Sequence, residues 1–238
     1  MRSISLAGFF VVVLSLQPGA RADGLIYQLP PDGTQVRYDT EGTFVNNGQE
    51  RMVKGSLTVS SVGKTAAEGE ECRWIEFKNV FRTDMGERII IAKCLVPEKD
   101  LGKGKSAGEH LIRAWIKQGD SEPQEIRDLK GRGARMLAGY LAGPPNNPGE
   151  LASSDIETLP LGKLSCAGVT GSQEFQRENG SQTIHFETRL NEKAPFGVVS
   201  ALWKFEFQSN GQVVGSGTTK MTLAEINTTA LSELPDRN

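Results

Sequence analysis

Three Asn-Gly pairs, each placed between runs of β-forming residues, constrain the fold of this chain more than any other feature. They are Asn47-Gly48, Asn179-Gly180 and Asn210-Gly211. Asn-Gly favours the two-residue type I′ turn because both positions tolerate positive φ angles, and this turn joins neighbouring antiparallel strands. Asp84-Met85-Gly86 is a fourth, looser turn sequence. The turns therefore predict an antiparallel sheet built from hairpins, since tight turns cannot join parallel neighbours.

The segments between these turns alternate between apolar and polar residues. Trp203, Phe205 and Phe207 share one parity of their segment, and Lys204 and Glu206 take the other. Such alternation is typical of strands with one buried and one solvated face. It predicts eight strands in two four-strand meanders. Their predicted bounds are 34–45, 50–62, 72–82, 87–96, 164–178, 182–191, 198–209 and 212–224.

The stretch between the two meanders, residues 106–142, is predicted to be helical. Its first helix begins at a capping box with Ser106 as N-cap and Glu109 at N3. The second begins at Ser121-Glu122-Pro123-Gln124, where proline takes the first helical position. The apolar residues that would pack the first helix against the sheet are Leu111, Ile112, Trp115 and Ile116.

The predicted fold class is α+β, a curved, half-barrel-like antiparallel sheet of about eight strands with two helices inserted between the meanders. A single domain covers residues 23–226. It includes the helical insertion and a loop over residues 143–160, which starts with a run rich in proline and turn formers. Residues 227–238 are predicted to be a polar tail.

The N terminus has the features of a cleavable signal peptide over residues 1–22. Arg2 precedes an apolar run from Leu6 to Leu16, and Ala20-Arg21-Ala22 has the small-x-small pattern that a signal peptidase cleaves. The run is shorter than the ~20 apolar residues that span a bilayer. Cleavage near Ala22 predicts a periplasmic or secreted protein with no membrane span in its mature chain. Asp23, where a lipoprotein would have cysteine, predicts an unlipidated chain.

Charge, cysteine and histidine content narrow the range of partners. The net charge is −2 and no basic block is present, so the sequence gives no electrostatic basis for binding nucleic acid. Three cysteines, Cys72, Cys94 and Cys166, are too few for a disulfide-stapled scaffold, although one bridge of open pairing is compatible with an oxidising compartment. His110 and His185 lack partners at metal-ligand spacing, and no metal or other cofactor is predicted.

One sequence motif is compatible with catalysis. Residues 104–108, Gly-Lys-Ser-Ala-Gly, match the G-x-S-x-G nucleophile elbow, and Asp155 and His185 follow in the hydrolase order. The elbow requires a strand-to-helix turn in a mostly parallel sheet, whereas hairpins precede it here and Ser106 already serves as a helix cap. A serine hydrolase that uses Ser106 is therefore the least favoured alternative. The sequence favours a non-enzymatic protein, and no catalytic residue is assigned.

Aromatic residues fall mainly in the predicted strands and admit two interpretations. One is an ordinary core between sheet and helices. The other is a curved sheet that leaves an apolar cavity beneath the helices. Under the second interpretation, the predicted ligand-binding residues are Trp74, Phe77, Trp115, Trp203 and Phe205.

The layout of the chain resembles the periplasmic lipoprotein-carrier family, in which helices plug a half-open barrel. The resemblance is carried by the long antiparallel meander, the central insertion and the segment Ala194-Pro195-Phe196-Gly197-Val198-Val199 before a late strand. The layout is also similar to that of exported bacterial proteins of unknown function. The resemblance implies a carrier of a lipid or another apolar small molecule, with no chemistry of its own.

Two functions follow as expectations. The first is an exported, non-enzymatic binding or carrier protein for an apolar or lipid-like ligand. The alternative is a structural or protein-interaction module of the cell envelope, whose partner would be another envelope protein.

Overall fold

The computed structural model is a curled antiparallel sheet whose two faces are covered by different segments of the chain. It describes residues 24–46, 48–83, 86–129, 137, 140–141, 146–177, 180–209 and 211–235. The predicted signal peptide and its cleavage site lie outside these residues. Within them, no helix has the length and apolar character that crossing a membrane requires.

The described residues form eleven strands, each antiparallel to its neighbours. The eight predicted segments are all strands, but the predicted number of eight is wrong, because three further strands lie between the meanders. The bounds are β1 (Gln35–Asn46), β2 (Gln49–Ala67), β3 (Glu70–Thr83), β4 (Gly86–Pro97), β5 (Arg113–Gln118), β6 (Gln124–Glu125), β7 (Asn146–Thr158), β8 (Gly162–Arg177), β9 (Gly180–Leu190), β10 (Val198–Ser209) and β11 (Gln212–Asn227). Two short 3-10 turns, Glu98–Asp100 and Ala107–Glu109, separate β4 from β5.

The predicted first helix is wrong, because β5 takes its place. The Glu109 N–H does donate to the Ser106 carbonyl at 2.9 Å, but the turn ends there and the Ser106 side chain makes no capping hydrogen bond. Both faces of β5 are covered. Ala114 and Ile116 pack in one apolar cluster and Trp115 in the other. A strand covered on both faces loses the alternation that would distinguish it from a helix.

The second predicted helix and the loop after it are also corrected. The helix was expected from Ser121, where the structure instead has the short strand β6, paired with β5. Most of its remaining residues lie outside the described ones, although Leu137, Tyr140 and Leu141 are helical. Most of the predicted 143–160 loop is β7, the edge strand beside β8. Its register breaks between Asn146 and Gly149, around Pro148, as expected of a proline in an edge strand.

The order of the strands joins the first and last of them at the middle of the sheet. The order is β6-β5-β4-β3-β2-β1-β11-β10-β9-β8-β7, so β6 and β7 are its two ends. β7 also lies in contact with β10 and β11, from which two and three strands separate it in the sheet. The sheet is therefore curled, with an inner and an outer face.

The inner face carries the main core. Residues from β1 to β5 and β8 to β11 contribute to it, and the N-terminal segment, residues 24–34, fills it together with Leu137, Leu141 and Phe196. Backbone hydrogen bonds hold this filling in place: Leu25 N–H donates to the Tyr140 carbonyl at 3.0 Å, and Tyr27 N–H to that of Phe196 at 2.9 Å.

Arg73, a buried residue of β3, fastens the N-terminal segment to the sheet. Its guanidinium donates to the Pro30 carbonyl at 3.1 Å and to the Ser61 hydroxyl at 2.6 Å. It also forms an ion pair with Glu98, with Nη2 2.7 Å from Oε1. A buried guanidinium is tolerated because its donors are engaged in this way.

Candidate functional site

The five predicted ligand-binding residues lie on opposite faces of the sheet. Phe77, Trp203 and Phe205 are on the inner face. Trp74 and Trp115 belong to a separate buried cluster on the outer face. Residues an odd number of positions apart in a regular strand point to opposite faces, as Trp74 and Phe77 do. The structure therefore brings Trp203 and Phe205 near one another and keeps the other two tryptophans away from them.

Phe77 is part of the filled core. Its ring is buried and stacks on that of Tyr140, with 5.0 Å between centroids. The Asn79 side-chain amide donates to the Tyr140 hydroxyl. Burial raises the pKa of Tyr140 to about 12, and the hydrogen bond from Asn79 opposes that rise. Because Tyr140 covers Phe77, the Phe77 ring is not open to a ligand.

The inner face becomes less covered toward the hairpin turns. Along β10, Ala201 is buried, whereas Trp203, Phe205 and Phe207 are only partly buried. Phe44, near the end of β1, packs its ring against those of Phe205 and Phe207. We call these three residues the Phe cluster. Ring centroids within it are 5.7 to 6.1 Å apart. An aromatic surface therefore extends along the concave face beyond the filled core.

Gly217 makes the Phe cluster geometrically possible. It lies on β11 between Phe44 on β1 and Phe205 on β10, directly opposite both. A Cβ atom at this position would be 2.5 Å from Cζ of Phe205 and 2.5 Å from the carbonyl oxygen of Thr43. The rings of the two neighbouring strands can meet across β11 only because Gly217 has no side chain.

Phe44 and Phe207 were absent from the predicted set of site residues. Their parity is readable in the sequence, since Phe207 continues the series Trp203, Phe205 and Phe44 continues that of Val36 and Tyr38. The missing information was that β1 and β10 both flank β11. The pairing of β1 with β11 joins residues about 180 positions apart, which no local pattern reveals.

A second concavity lies where the N-terminal segment meets β7 and β8. It is a cavity of about 530 Å³ with a lining of both polar and apolar residues. Tyr27, Lys103, Glu150, Ser165 and Glu192 are among its lining residues. None of the five predicted aromatic residues lines it, and its mixed lining distinguishes it from the Phe cluster.

The candidate hydrolase residues are not assembled. Asp155 forms an ion pair with Lys163 at 2.9 Å, and His185 is exposed on β9. No hydrogen bond joins Ser106 to either residue.

The sequence left the pairing of the cysteines open, and the structure has no disulfide between them: Cys72, Cys94 and Cys166 are buried free thiols. Among the described residues, no three metal-ligating side chains are gathered at one place.

Comparisons with known proteins give distant structural neighbours. No protein-family model and no curated protein matches the chain. A protein of Parabacteroides distasonis described as a lipoprotein has a TM-score of 0.37 at 10% identity, covering 87% of this chain and 100% of its own. A β-barrel-like protein of unknown function, DUF1849, from Brucella abortus has a TM-score of 0.30 at 9% identity, with coverages of 84% and 98%.

A third neighbour is a domain from Vibrio parahaemolyticus described as an outer membrane lipoprotein-sorting protein. Its TM-score is 0.23 at 9% identity, and the match covers 86% of this chain and 89% of the domain. The descriptions of these proteins name the same kinds of protein as the resemblance read from the sequence. At this distance they identify no ligand for this chain, whose binding chemistry depends on its own residues.

Proposed function

We propose that this chain is an exported binding or carrier protein that holds an apolar small molecule against the inner face, at the Phe cluster and Trp203. The observation that carries the proposal is the set of aromatic rings left partly open on a concave surface beyond a filled core. Export is supported by the signal-peptide pattern of residues 1–22. The proposal involves no catalytic residue and no cofactor.

The physical case depends on the area that a ligand would cover. Each phenylalanine or tryptophan can bury roughly 150–250 Å². Covering apolar surface is worth about 25 cal/mol per Å², so partly open rings of four aromatic residues retain a useful driving force. Small-molecule sites are typically concave and mainly apolar. An apolar chain or ring system matches this surface better than a charged solute does.

Binding of a fluorescent fatty-acid probe tests the proposal. We expect Phe205→Ala to weaken binding about five- to tenfold, because it removes the central ring of the Phe cluster and one buried aromatic contact is worth about 1–1.5 kcal/mol. Trp203 emission should also change when the probe binds. The control is Leu159→Ala, whose side chain is 88% exposed in the turn between β7 and β8.

Two results would contradict the proposal. One is equal probe affinity in Phe205→Ala and Leu159→Ala. The other is a natively purified protein that takes up no apolar probe and yields no apolar molecule to mass spectrometry.

A further inference from the structure

The C-terminal segment, residues 228–235, lies across the outer face of the sheet, opposite the Phe cluster. The Asn227 side chain accepts hydrogen bonds from the Thr229 N–H and hydroxyl, both at 3.0 Å, where the chain leaves β11. Ala230 N–H then donates to the Gly33 carbonyl at 2.8 Å. Beyond Ala230 the segment covers side chains of β3, β4 and β5. We call the surface beneath it the outer groove, and its floor includes Trp74, Glu76, Lys78, Lys93 and Trp115.

Glu76 and Lys93 bind mainly the backbone of the segment. The Glu76 carboxylate accepts from the Ser232 hydroxyl at 2.8 Å and from the N–H groups of Glu233 and Leu234 at 3.1 and 3.2 Å. Lys93 Nζ donates to the Leu234 carbonyl at 3.2 Å. Backbone groups are present in every peptide, so this part of the groove recognises an extended chain rather than one particular side chain.

Side chains add selectivity. The Glu233 carboxylate forms an ion pair with Lys78 at 2.8 Å. Ala230 and Leu234 complete the buried outer cluster. The groove thus contacts, in chain order, a small apolar residue, a hydroxyl residue, an acidic residue and a leucine. The apolar residues with which Ala230 and Leu234 pack are Val62, Cys72, Trp74, Ile91, Leu95 and Trp115.

The floor of the groove combines apolar side chains with two buried charged ones. Glu76 and Lys93 face each other across β3 and β4, with exposures of only 3% and 0%. Burying charged groups carries a desolvation cost, which the segment must offset with two apolar side chains and a few hydrogen bonds. Burial also raises the pKa of Glu76, as expected for a carboxylate withdrawn from water. Local opening of the segment would return both charges to water.

The segment leaves one buried hydrogen-bond donor of the groove unpaired, the indole N–H of Trp115. This N–H is buried and has no hydrogen-bond partner among the residues that the structure describes. Buried donors are seldom left unpaired, because the lost solvation is not recovered. A ligand that brought an acceptor to this nitrogen would therefore make a contact that the chain's own segment does not make.

We propose that the outer groove is a peptide-binding site that residues 230–234 occupy within the same chain and from which an external peptide displaces them. Its ligand is an extended peptide with a small apolar residue, a hydroxyl residue, an acidic residue and leucine at the spacing of Ala230, Ser232, Glu233 and Leu234. This site is on the opposite face from the proposed apolar site and does not depend on it.

The probe for this proposal is a fluorescein-labelled peptide with the sequence of residues 228–235, titrated with the mature chain by fluorescence anisotropy. Binding to the wild type is weakened because only the molecules whose groove is open can take up the peptide. The apparent Kd is the intrinsic Kd divided by the fraction of such molecules. Leu234→Ala in the protein removes the main apolar anchor of the competing segment. We expect that variant to bind the peptide about tenfold more tightly than the wild type.

The floor of the groove is tested in the Leu234→Ala background. Adding Glu76→Gln should weaken peptide binding at least about fivefold, whereas Glu71→Gln, at an exposed carboxylate of the same strand, should leave it unchanged. A peptide carrying Leu234→Ala should bind at least about fivefold more weakly, and this comparison needs no change in the floor of the groove. Affinity equal in wild type and Leu234→Ala, or indifferent to both Glu76→Gln and the peptide change, would overturn the proposal.

Discussion

At the scale of single residues, the absence of a side chain at Gly217 determines how the aromatic rings around it are arranged. We predict that Gly217→Ala lowers the free energy of unfolding by about 1–3 kcal/mol, because the added methyl group must displace Phe205 or the backbone at Thr43. Urea unfolding measures this change. Gly215→Ala is the matched control on β11, since its Cβ would meet its nearest neighbours at 3.2 and 3.5 Å. A loss at Gly215 as large as that at Gly217 would contradict the packing described.

Tyr140 makes the stability of the folded chain depend on pH in the alkaline range. Its pKa is about 12 in the folded chain, against an ordinary value of about 10, because burial disfavours the phenolate. The folded state therefore keeps a proton that the unfolded state has lost, and stability should fall as the pH rises from 10 toward 12. We predict a shallower fall in Tyr140→Phe, measured as urea midpoints between pH 9 and 11.5. Tyr38, whose pKa burial also raises, should preserve part of the dependence. An unchanged slope would contradict this account.

At the scale of elements, Arg73 contributes strongly to holding the N-terminal segment on the sheet. We predict that Arg73→Ala lowers the free energy of unfolding by about 3–5 kcal/mol, because Glu98 and the Pro30 carbonyl lose a buried cationic donor. Thermal unfolding measures the loss, and proteolysis near residue 30 should accelerate. Arg82→Ala is the control: Arg82 pairs with Glu87 at the surface, where such a pair contributes about 0–1 kcal/mol. Comparable losses in the two variants would contradict the role given to Arg73.

The accuracy of the sequence predictions also depended on the element. Asn47-Gly48, Asn179-Gly180 and Asn210-Gly211 identified hairpins because their turn chemistry is local. β5 was mistaken for a helix because Trp115 is covered on one face and Ala114 on the other, which removes the alternation. β7 was mistaken for a loop because it is a polar edge strand interrupted around Pro148. For β5, packing partners far away in the sequence determined the structure, whereas β7 pairs with β8, the next strand along the chain.

At the scale of the whole molecule, the sequence predicted a curved sheet of two meanders but not how the meanders join. That junction creates the candidate site, because Phe44 belongs to the first meander and Phe205 to the second. Trp203 and Phe205 share a face because they are two positions apart on β10. That Trp74 and Trp115 lie on the other face could not be read from parity alone. Parity within a strand predicts a shared face, but only the register between strands shows which faces coincide.

The pairing of β1 with β11 has a consequence for the nascent chain. β11 follows β1 by about 180 residues along the chain and is therefore made well after it, yet each needs the other as its neighbour at the middle of the sheet. Until β11 has emerged, β1 presents an unpaired edge that can associate with other chains. Contacts between residues so distant in sequence also form slowly. One edge of β1 therefore stays unpaired until the second meander has been made, a period in which a chaperone can still shield it.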